Sequence, residues 1–316
     1  MRNVLVVGVG NFGSWWVISL LRWSKSLRID CFDVDQNKYT NLLSRKSEQI
    51  GWSVSSHEIN CLCDEIDIKP VYDLVVIATS SDVRLKVVDF LVKRIDSKLW
   101  ILEKVLAQST TQLDEMKKLL SGKSVYVNHS RRIQPATQYL KTYLGGKPLP
   151  QKSILKGGKW ELASNSFHFI DMFCFLYSTE LKKIKSGRLN RWHSSSVREG
   201  FYDTSGEIIF SFKNGLEFVL DWTSGTDEAE WSFCFGDISV SYNELTGVIK
   251  ENDLEIAKIP LINFSDLGAL MDIKNIKLIQ LPTFQESYRR SYLLLHLFEA
   301  DWKCFDSSED TLVPLG

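Results

Sequence analysis

Net charge is nearly absent from this chain: 38 lysines and arginines face 39 aspartates and glutamates, leaving −1 over 316 residues. Without a basic excess there is no long-range field to recruit nucleic acid or an anionic membrane. A cysteine framework is also missing. Cys31, Cys61, Cys63, Cys174, Cys234 and Cys304 follow no repeated spacing, which fits reduced thiols and not a disulfide scaffold. No alanine occurs before Ala78, so the uncharged run from Asn3 to Leu21 lacks the small-residue site at which a secretory signal is cut. Gly8, Gly10 and Gly13 interrupt that run where a membrane-spanning helix would gain nothing from them. A strand, a turn and a helix explain it better. The expected location is the cytoplasm, with neither nucleic acid nor membrane as partner. No internal repeat is visible, and the only low-complexity patch is Ser194-Ser195-Ser196.

What is present is the balance of a globular protein, 44% apolar and 24% charged. At this length two domains are expected. The first half alternates apolar strands with amphipathic helices, the pattern of a parallel sheet covered on both faces. Val4–Val7 reads as a buried strand, followed by a helix carrying Phe12, Trp15, Trp16, Leu20 and Trp23 at helical spacing. Ile29–Phe32, Asp73–Ala78, Leu99–Leu102 and Ser124–Val127 read as further strands, while the segment 50–70 stays open. Ser109 with Gln112 forms a capping box for a helix to about Leu120. The domain boundary is expected near Gly122, giving a nucleotide-binding domain over 1–122 and an α+β domain over 123–316. In the second part, helices are expected from Pro135, over Ser166–Tyr177 and from about Thr283 to Trp302. Asn214-Gly215 between two apolar runs predicts a hairpin, and the alternation of Trp231, Phe233 and Phe235, then Ile238, Val240 and Tyr242, predicts an open, mainly antiparallel sheet.

Gly8-Val9-Gly10-Asn11-Phe12-Gly13 is a G-x-G-x-x-G string between a strand and a helix, the context in which that string binds a dinucleotide. The first glycine allows the tight turn, the second lets backbone approach the pyrophosphate, and the third lets helix pack against strand. The helix N-terminus then faces the phosphates. Asp33 follows Gly13 by twenty residues, placed to bind ribose hydroxyls and to repel a 2′-phosphate, which favours NAD over NADP. Glu103-Lys104 falls at the carboxyl end of a strand, where open α/β sheets bind ligands; such pairs are otherwise solvated surface. His57, Cys61, Cys63 and Asp64 match no common zinc spacing, so packing is expected and no metal. Arg131, Arg132, Arg188 and Arg191 could bind the phosphate of a sugar nucleotide or be scattered surface cations. His193, in the polar stretch Ser186–Gly206, reads as loop or substrate contact.

Taken in order, these segments resemble the glucose–fructose oxidoreductase and inositol dehydrogenase family (Gfo/Idh/MocA) over most of the chain. Val75-Val76-Ile77-Ala78-Thr79 resembles the family strand ending in Ala-Thr. Ile101-Leu102-Glu103-Lys104-Val105 resembles its Glu-Lys-Pro motif with valine for proline. Val127-Asn128-His129-Ser130-Arg131-Arg132-Ile133-Gln134-Pro135 resembles the opening of its second domain, His168-Phe169-Ile170-Asp171 its His-x-x-Asp helix, and Leu281-Pro282-Thr283-Phe284 its C-terminal signature. The resemblance implies an oxidoreductase acting on a CH–OH group of a carbohydrate or sugar-nucleotide substrate, with Gly8, Gly10, Asn11, Phe12, Gly13, Asp33, Ala78, Thr79, Glu103 and Lys104 around the cofactor. It makes Lys104 the substrate-contacting, proton-relaying lysine and His168 the acid/base, suited to a side chain titrating near neutrality. Arg132 and Asp171 become weaker substrate contacts, and the antiparallel sheet can serve as a homo-oligomer interface. Two departures stand out. Many members carry an aspartate four residues before the histidine, where this chain has Ser164, and Val105 replaces a proline. These departures favour a second reading, a catalytically silent NAD(H)-binding sensor or scaffold; among enzymes, the alternative is a reductase of an imine or double bond on the same scaffold.

Overall fold

The computed structural model describes residues 2–22, 26–50, 57–158, 160–196, 198–223, 229–264, 280–306 and 312–316. Trp23, expected on the first helix, lies outside them. The chain divides into two compact units. The first comprises Met1–Ala107, Thr111–Ser130 and Asn263–Gln285, the second Gln108–Thr110, Arg131–Ile262 and Glu286–Gly316.

The first unit is built on β1 (Arg2–Val7), α1 (Asn11–Leu21), β2 (Leu27–Phe32), α2 (Asn37–Ile50), β3 (Glu58–Leu62), the short β4 (Val71–Tyr72), β5 (Leu74–Ile77), α3 (Ser81–Val92), the short β6 (Asp96–Ser97), β7 (Trp100–Leu102), α4 (Thr110–Leu119) and β8 (Val125–Val127). Six strands form one parallel sheet in the order β3-β2-β1-β5-β7-β8. The central strands are Val4-Leu5-Val6-Val7 and Leu74-Val75-Val76-Ile77, all essentially fully buried, as expected of strands covered on both faces. The order reverses between β1 and β5, the place where doubly wound sheets open a crevice at their carboxyl ends. The uncharged run from residue 3 to 21 is thus β1, a glycine turn and α1. Among the described residues no helix is long and apolar enough to cross a membrane.

The expected cut at Gly122 falls one strand early. Trp100↔Val125 and Leu102↔Val127 pair β8 to β7, so the sheet carries the first unit to Ser130. A later segment returns to it as well: Val127 N–H donates to the Pro282 carbonyl at 3.0 Å, and Tyr126 bridges Thr283. A partner more than 150 residues away leaves no local trace.

The second unit holds α5 (Pro135–Gly145), β9 (Lys152–Lys156), α6 (Leu162–Leu176), β10 (Leu181–Leu189), β11 (His193–Ser194), β12 (Tyr202–Asp203), β13 (Gly206–Phe212), β14 (Glu217–Trp222), β15 (Glu230–Phe235), β16 (Ile238–Asn243), β17 (Val248–Glu251), β18 (Leu254–Lys258) and most of the C-terminal helix Phe284–Phe305. Its eight-stranded sheet runs β10-β13-β14-β9-β15-β16-β17-β18 and is antiparallel except where β9 lies parallel to β14. The β13–β14 hairpin turns at Gly215, whose φ of +86° explains the glycine. The inner face is aromatic: Phe173 of α6 packs on Phe212 and Phe218 at centroid distances of 4.6 and 4.8 Å, and Phe218 stacks on Trp231 at 5.2 Å. Part of the polar stretch 186–206 is ordered as the end of β10 and the β11–β12 pair.

Helix α6 begins at Leu162, four residues before the expected Ser166. The reason is a cap from elsewhere in the chain. Asp203, beyond β11, accepts the N–H groups of Ala163 at 2.6 Å and Ser164 at 2.9 Å, satisfying first-turn donors that no neighbouring side chain reaches.

Candidate functional site

In the first unit, β1 ends at Val7 and the chain turns at Gly8, φ +83°. A Cβ on Gly8 would lie 2.8 Å from the Thr79 nitrogen, and one on Gly13 only 1.7 Å from the Gly8 carbonyl oxygen. Both positions are closed to any side chain. Gly10 is different: among the described residues nothing lies within 4 Å of its missing Cβ, so no described group closes the backbone there to an incoming ligand. Gly10 is also the N-cap of α1, which has no side-chain cap and no acidic residue in its first turn. Among the described residues the positive end of the helix dipole is thus left without a capping side chain or a first-turn carboxylate, the condition under which it favours an anion. Asn11 and Phe12 follow on the exposed first turn. Arg45 of α2 buttresses that turn by donating to the Asn11 carbonyl at 3.0 Å and to Ser14 Oγ at 2.7 Å, with its guanidinium over Trp15.

Asp33 stands just past β2 and reaches back to the glycine turn. Its Oδ2 accepts the Val9 N–H at 2.8 Å and its Oδ1 the Asp35 N–H at 2.9 Å. An ionised carboxylate has about four acceptor sites, so each oxygen keeps one for a ligand hydroxyl. Tyr39 fixes the approach, accepting the Asp33 N–H at 2.9 Å and donating to the Leu62 carbonyl at 2.6 Å. Burial pushes its phenol up to about 12, so the hydroxyl keeps its proton and can serve both bonds.

Across the sheet, β5 leads into Ala78 and Thr79, where Ala78 N–H donates to the Val7 carbonyl at 2.8 Å. Thr79 Oγ1 is buried and without a hydrogen-bond partner among the described residues, an orphan of the kind that calls for a ligand or water. At the end of β7, the Glu103 carboxylate is buried and its Oε1 accepts both Trp16 Nε1 at 2.6 Å and Asn128 Nδ2 at 2.5 Å. It thereby ties the glycine-motif helix to the ends of β7 and β8. Burial raises Glu103 above the ordinary glutamate range, while the two hydrogen bonds and the charges of Arg84 and Lys104 oppose the shift. Arg84, itself buried, donates to the carbonyls of Thr79 and Val105 and so clamps the two loops that flank the crevice. Lys104 follows Glu103, half-buried, and its peptide bond to Val105 is cis.

In the second unit, α6 carries Ser164, His168 and Asp171 at spacings of four and three, so they share one face, while Phe169 and Phe173 pack on the aromatic sheet. His168 is 8% exposed. Arg132 and Asp171, singled out from the sequence as substrate contacts, meet each other: Arg132 Nε and Nη2 donate to Asp171 at 2.5 and 2.9 Å, and Arg290 of the C-terminal helix donates to the same carboxylate. Glu286 lies 3.6 and 3.8 Å from the two guanidinium groups. Asp171 is fully buried, so this double ion pair accounts for all three side chains as a fixture of the unit. Ser164 gives its backbone N–H to Asp203, whose carboxyl burial pushes up to about 6 against three backbone N–H donors. Among the described residues no cluster of histidine, cysteine, aspartate and glutamate is placed to hold a metal ion. His57 Nδ1 instead accepts the Leu27 N–H at 3.2 Å, and Asp64 caps a short turn at Ile66.

No sequence-family profile matches the chain, and no curated protein matches it by sequence. Solved structures do match. A Gfo/Idh/MocA family oxidoreductase from Vibrio cholerae superposes with a TM-score of 0.66 at 15% identity, covering 96% of this chain and 99% of its own. The chain has the Gfo/Idh/MocA fold. The UDP-N-acetylglucosamine 3-dehydrogenase GnnA from Acidithiobacillus ferrooxidans shares it with a TM-score of 0.66 at 14% identity, over 96% of this chain and 98% of that one. An oxidoreductase from Agrobacterium radiobacter in complex with NAD+, L-tartaric acid and magnesium matches with a TM-score of 0.66 at 12% identity, over 93% and 94%.

Within this fold the glycine turn, Asp33, Ala78, Thr79, Glu103 and Lys104 are gathered at the carboxyl ends of the first unit's strands. Trp16, Asn128, Arg84 and Tyr39 complete the gathering and were not legible in advance. Each acts on a partner distant in sequence: Glu103 is 87 residues from Trp16 and 25 from Asn128.

Proposed function

We propose that this protein is a cytoplasmic NAD(H)-dependent oxidoreductase that moves a hydride to or from a secondary alcohol or ketone carbon of a sugar, cyclitol or sugar nucleotide. The observation that carries the reading is the glycine turn: two positions closed by contact, one left open by the described residues beside a helix N-terminus that none of them caps, and the Asp33 carboxylate at its side. Those residues fit a dinucleotide, and the buried, unpartnered Thr79 hydroxyl offers a further contact. NAD(H), when bound, supplies or accepts the hydride. The chain's part is to hold and orient. Gly10 and the first turn of α1 receive the pyrophosphate, and Asp33 receives the ribose hydroxyls and opposes a 2′-phosphate, so NADP is disfavoured. Lys104, at the carboxyl end of β7, orients and polarises the reacting C–O group, and His168 takes or returns the hydroxyl proton. The solved structures of the same fold that bear an NAD+ complex and a sugar-nucleotide dehydrogenase name support cofactor and substrate class alike.

Oxidation rate against pH, followed by NADH absorbance on a panel of sugars and UDP-sugars, tests the proton assignment. The wild-type rate rises along a single limb. In His168→Asn that limb disappears and kcat falls while NADH affinity is retained. An unaltered profile would make His168 a packed helix residue.

A second reading has one observation in its favour. Position 164 is a serine whose backbone is spent on the Asp203 cap, so it brings no carboxylate to the face shared with His168. A cofactor-binding sensor or scaffold without turnover would tolerate this. Stoichiometric NADH binding with no turnover across the same panel would select that reading.

A further inference from the structure

Of the four arginines that could meet a phosphate, three are disposed of by the fold. Arg132 is consumed by Asp171, while Arg188 and Arg191 are exposed on β10 and in the loop after it. Arg131, next in sequence to Arg132, is in a different situation. Its Nε donates to Glu244 at 3.2 Å, and Glu244, 1% exposed, also accepts Trp231 Nε1 at 3.0 Å. Its guanidinium carbon lies 4.4 Å from the Phe169 ring centre and 5.3 Å from that of Trp160. One edge of the group is thus pinned by a buried carboxylate and its flat surface is dried by aromatic rings. The other edge, the two Nη groups, has no hydrogen bond to any described residue, and the side chain keeps 16% of its surface exposed. Nearby, the Tyr242 hydroxyl is buried and lacks a partner among the described residues. Burial and the Glu244 charge hold its proton on, and the Arg131 charge pulls the other way.

A planar fork fixed on one side, and on the other without a partner among the described residues, is preorganised for an anion with two adjacent oxygens, and its weak hydration lowers the cost of contact. A free sugar has no such group. We propose that Arg131 anchors a phosphate on the substrate, with Tyr242 as an accessory donor, so that the substrate is a phosphorylated or nucleotide-linked sugar. The inference rests on the reading of the protein as a carbohydrate oxidoreductase and narrows its substrate class.

Calorimetric titration of the full chain, with excess NADH present to fill the cofactor's own phosphate site, tests it. UDP, glucose 1-phosphate, uridine and glucose are the probes. UDP or glucose 1-phosphate is expected to bind, with affinity falling as NaCl is raised, and uridine and glucose are not. UDP alone assigns a nucleotide-linked sugar, and binding of both assigns the phosphate itself. Arg131→Met should abolish the phosphate-dependent binding. Because that change leaves Glu244 buried and unpaired, Arg131→Lys is the companion: it keeps the charge and loses the fork, and should bind about tenfold more weakly. Wild-type affinity in Arg131→Lys, or no phosphate-dependent binding to the native protein up to about 1 mM, would overturn the proposal. NADH affinity measured in the same samples separates the two readings, since its loss counts against the cofactor site and its retention confines any failure to Arg131.

Discussion

The two units build their polar centres from different materials. In the first, the glycine turn is largely backbone: the Gly10 turn, the first turn of α1, and the N–H groups of Val9 and Asp35 that hold the Asp33 carboxylate. In the second, the polar groups around α6 are long side chains joined across the chain, Arg132 and Arg290 to Asp171 and Asp203 to the helix start. A backbone-built site is written in a short string, because glycine spacing sets the geometry by itself. A side-chain network depends on which distant elements come together, and a helix-face motif such as His168-Phe169-Ile170-Asp171 does not say whether its carboxylate meets substrate or arginine.

The contrast can be broken most severely at Gly13. Gly13→Ala puts a carbon where the Gly8 carbonyl oxygen stands, and about 5 kcal/mol of stability, or the folded first unit itself, should be lost. Gly10→Ala, with no described atom within 4 Å of the added carbon, should leave the unfolding free energy within about 0.5 kcal/mol of wild type and weaken NADH binding instead. Equal melting of the two variants would show that the turn does not have the closed and open positions described.

In the second unit, Asp171→Ala strands two buried arginines, and denaturant unfolding should show a loss of about 3–5 kcal/mol. A neutral outcome, with altered substrate affinity, would return Asp171 to substrate contact.

Lys104→Met is the sharper test of chemistry. Turnover should fall roughly a hundredfold or more with cofactor affinity nearly intact. Retained turnover would make Lys104 a surface lysine and misplace the site.

The smallest effect concerns pH. Burial raises Asp203 to about 6 in the folded protein, above the usual unfolded value of about 3.9. Between these values the folded state holds a proton that the unfolded state has released, so this group's stabilisation is complete below about pH 4 and is lost as pH rises through 6. Asp203→Asn should remove that declining component, about 1–3 kcal/mol, from unfolding free energies measured across the range. A slope unchanged in the variant would assign it to another group.

Much of the first unit was legible because its period, glycines and Asp33 are local signals. The end of that unit was not, since β8 belongs to it through pairing with β7 and through the return of Pro282 and Thr283. Helix α6 was legible in its apolar face but not at its start, where the cap comes from Asp203. Strands β9, β17 and β18 carry too few alternating residues to declare themselves. Glu103-Lys104 could be read as a pair at a strand end, whereas the buried role of Glu103 required Trp16 and Asn128, and no residue near Arg84 announces that it clamps two loops.

We propose that the first unit holds NAD(H) with Asp33 against the ribose, and titration of NADH and NADPH by tryptophan fluorescence decides it. NADH should bind roughly tenfold or more tightly, the scale of one like-charge contact with a 2′-phosphate, and Asp33→Ala should narrow the gap. Equal affinity, or a preference for NADPH in the native protein, would contradict the account.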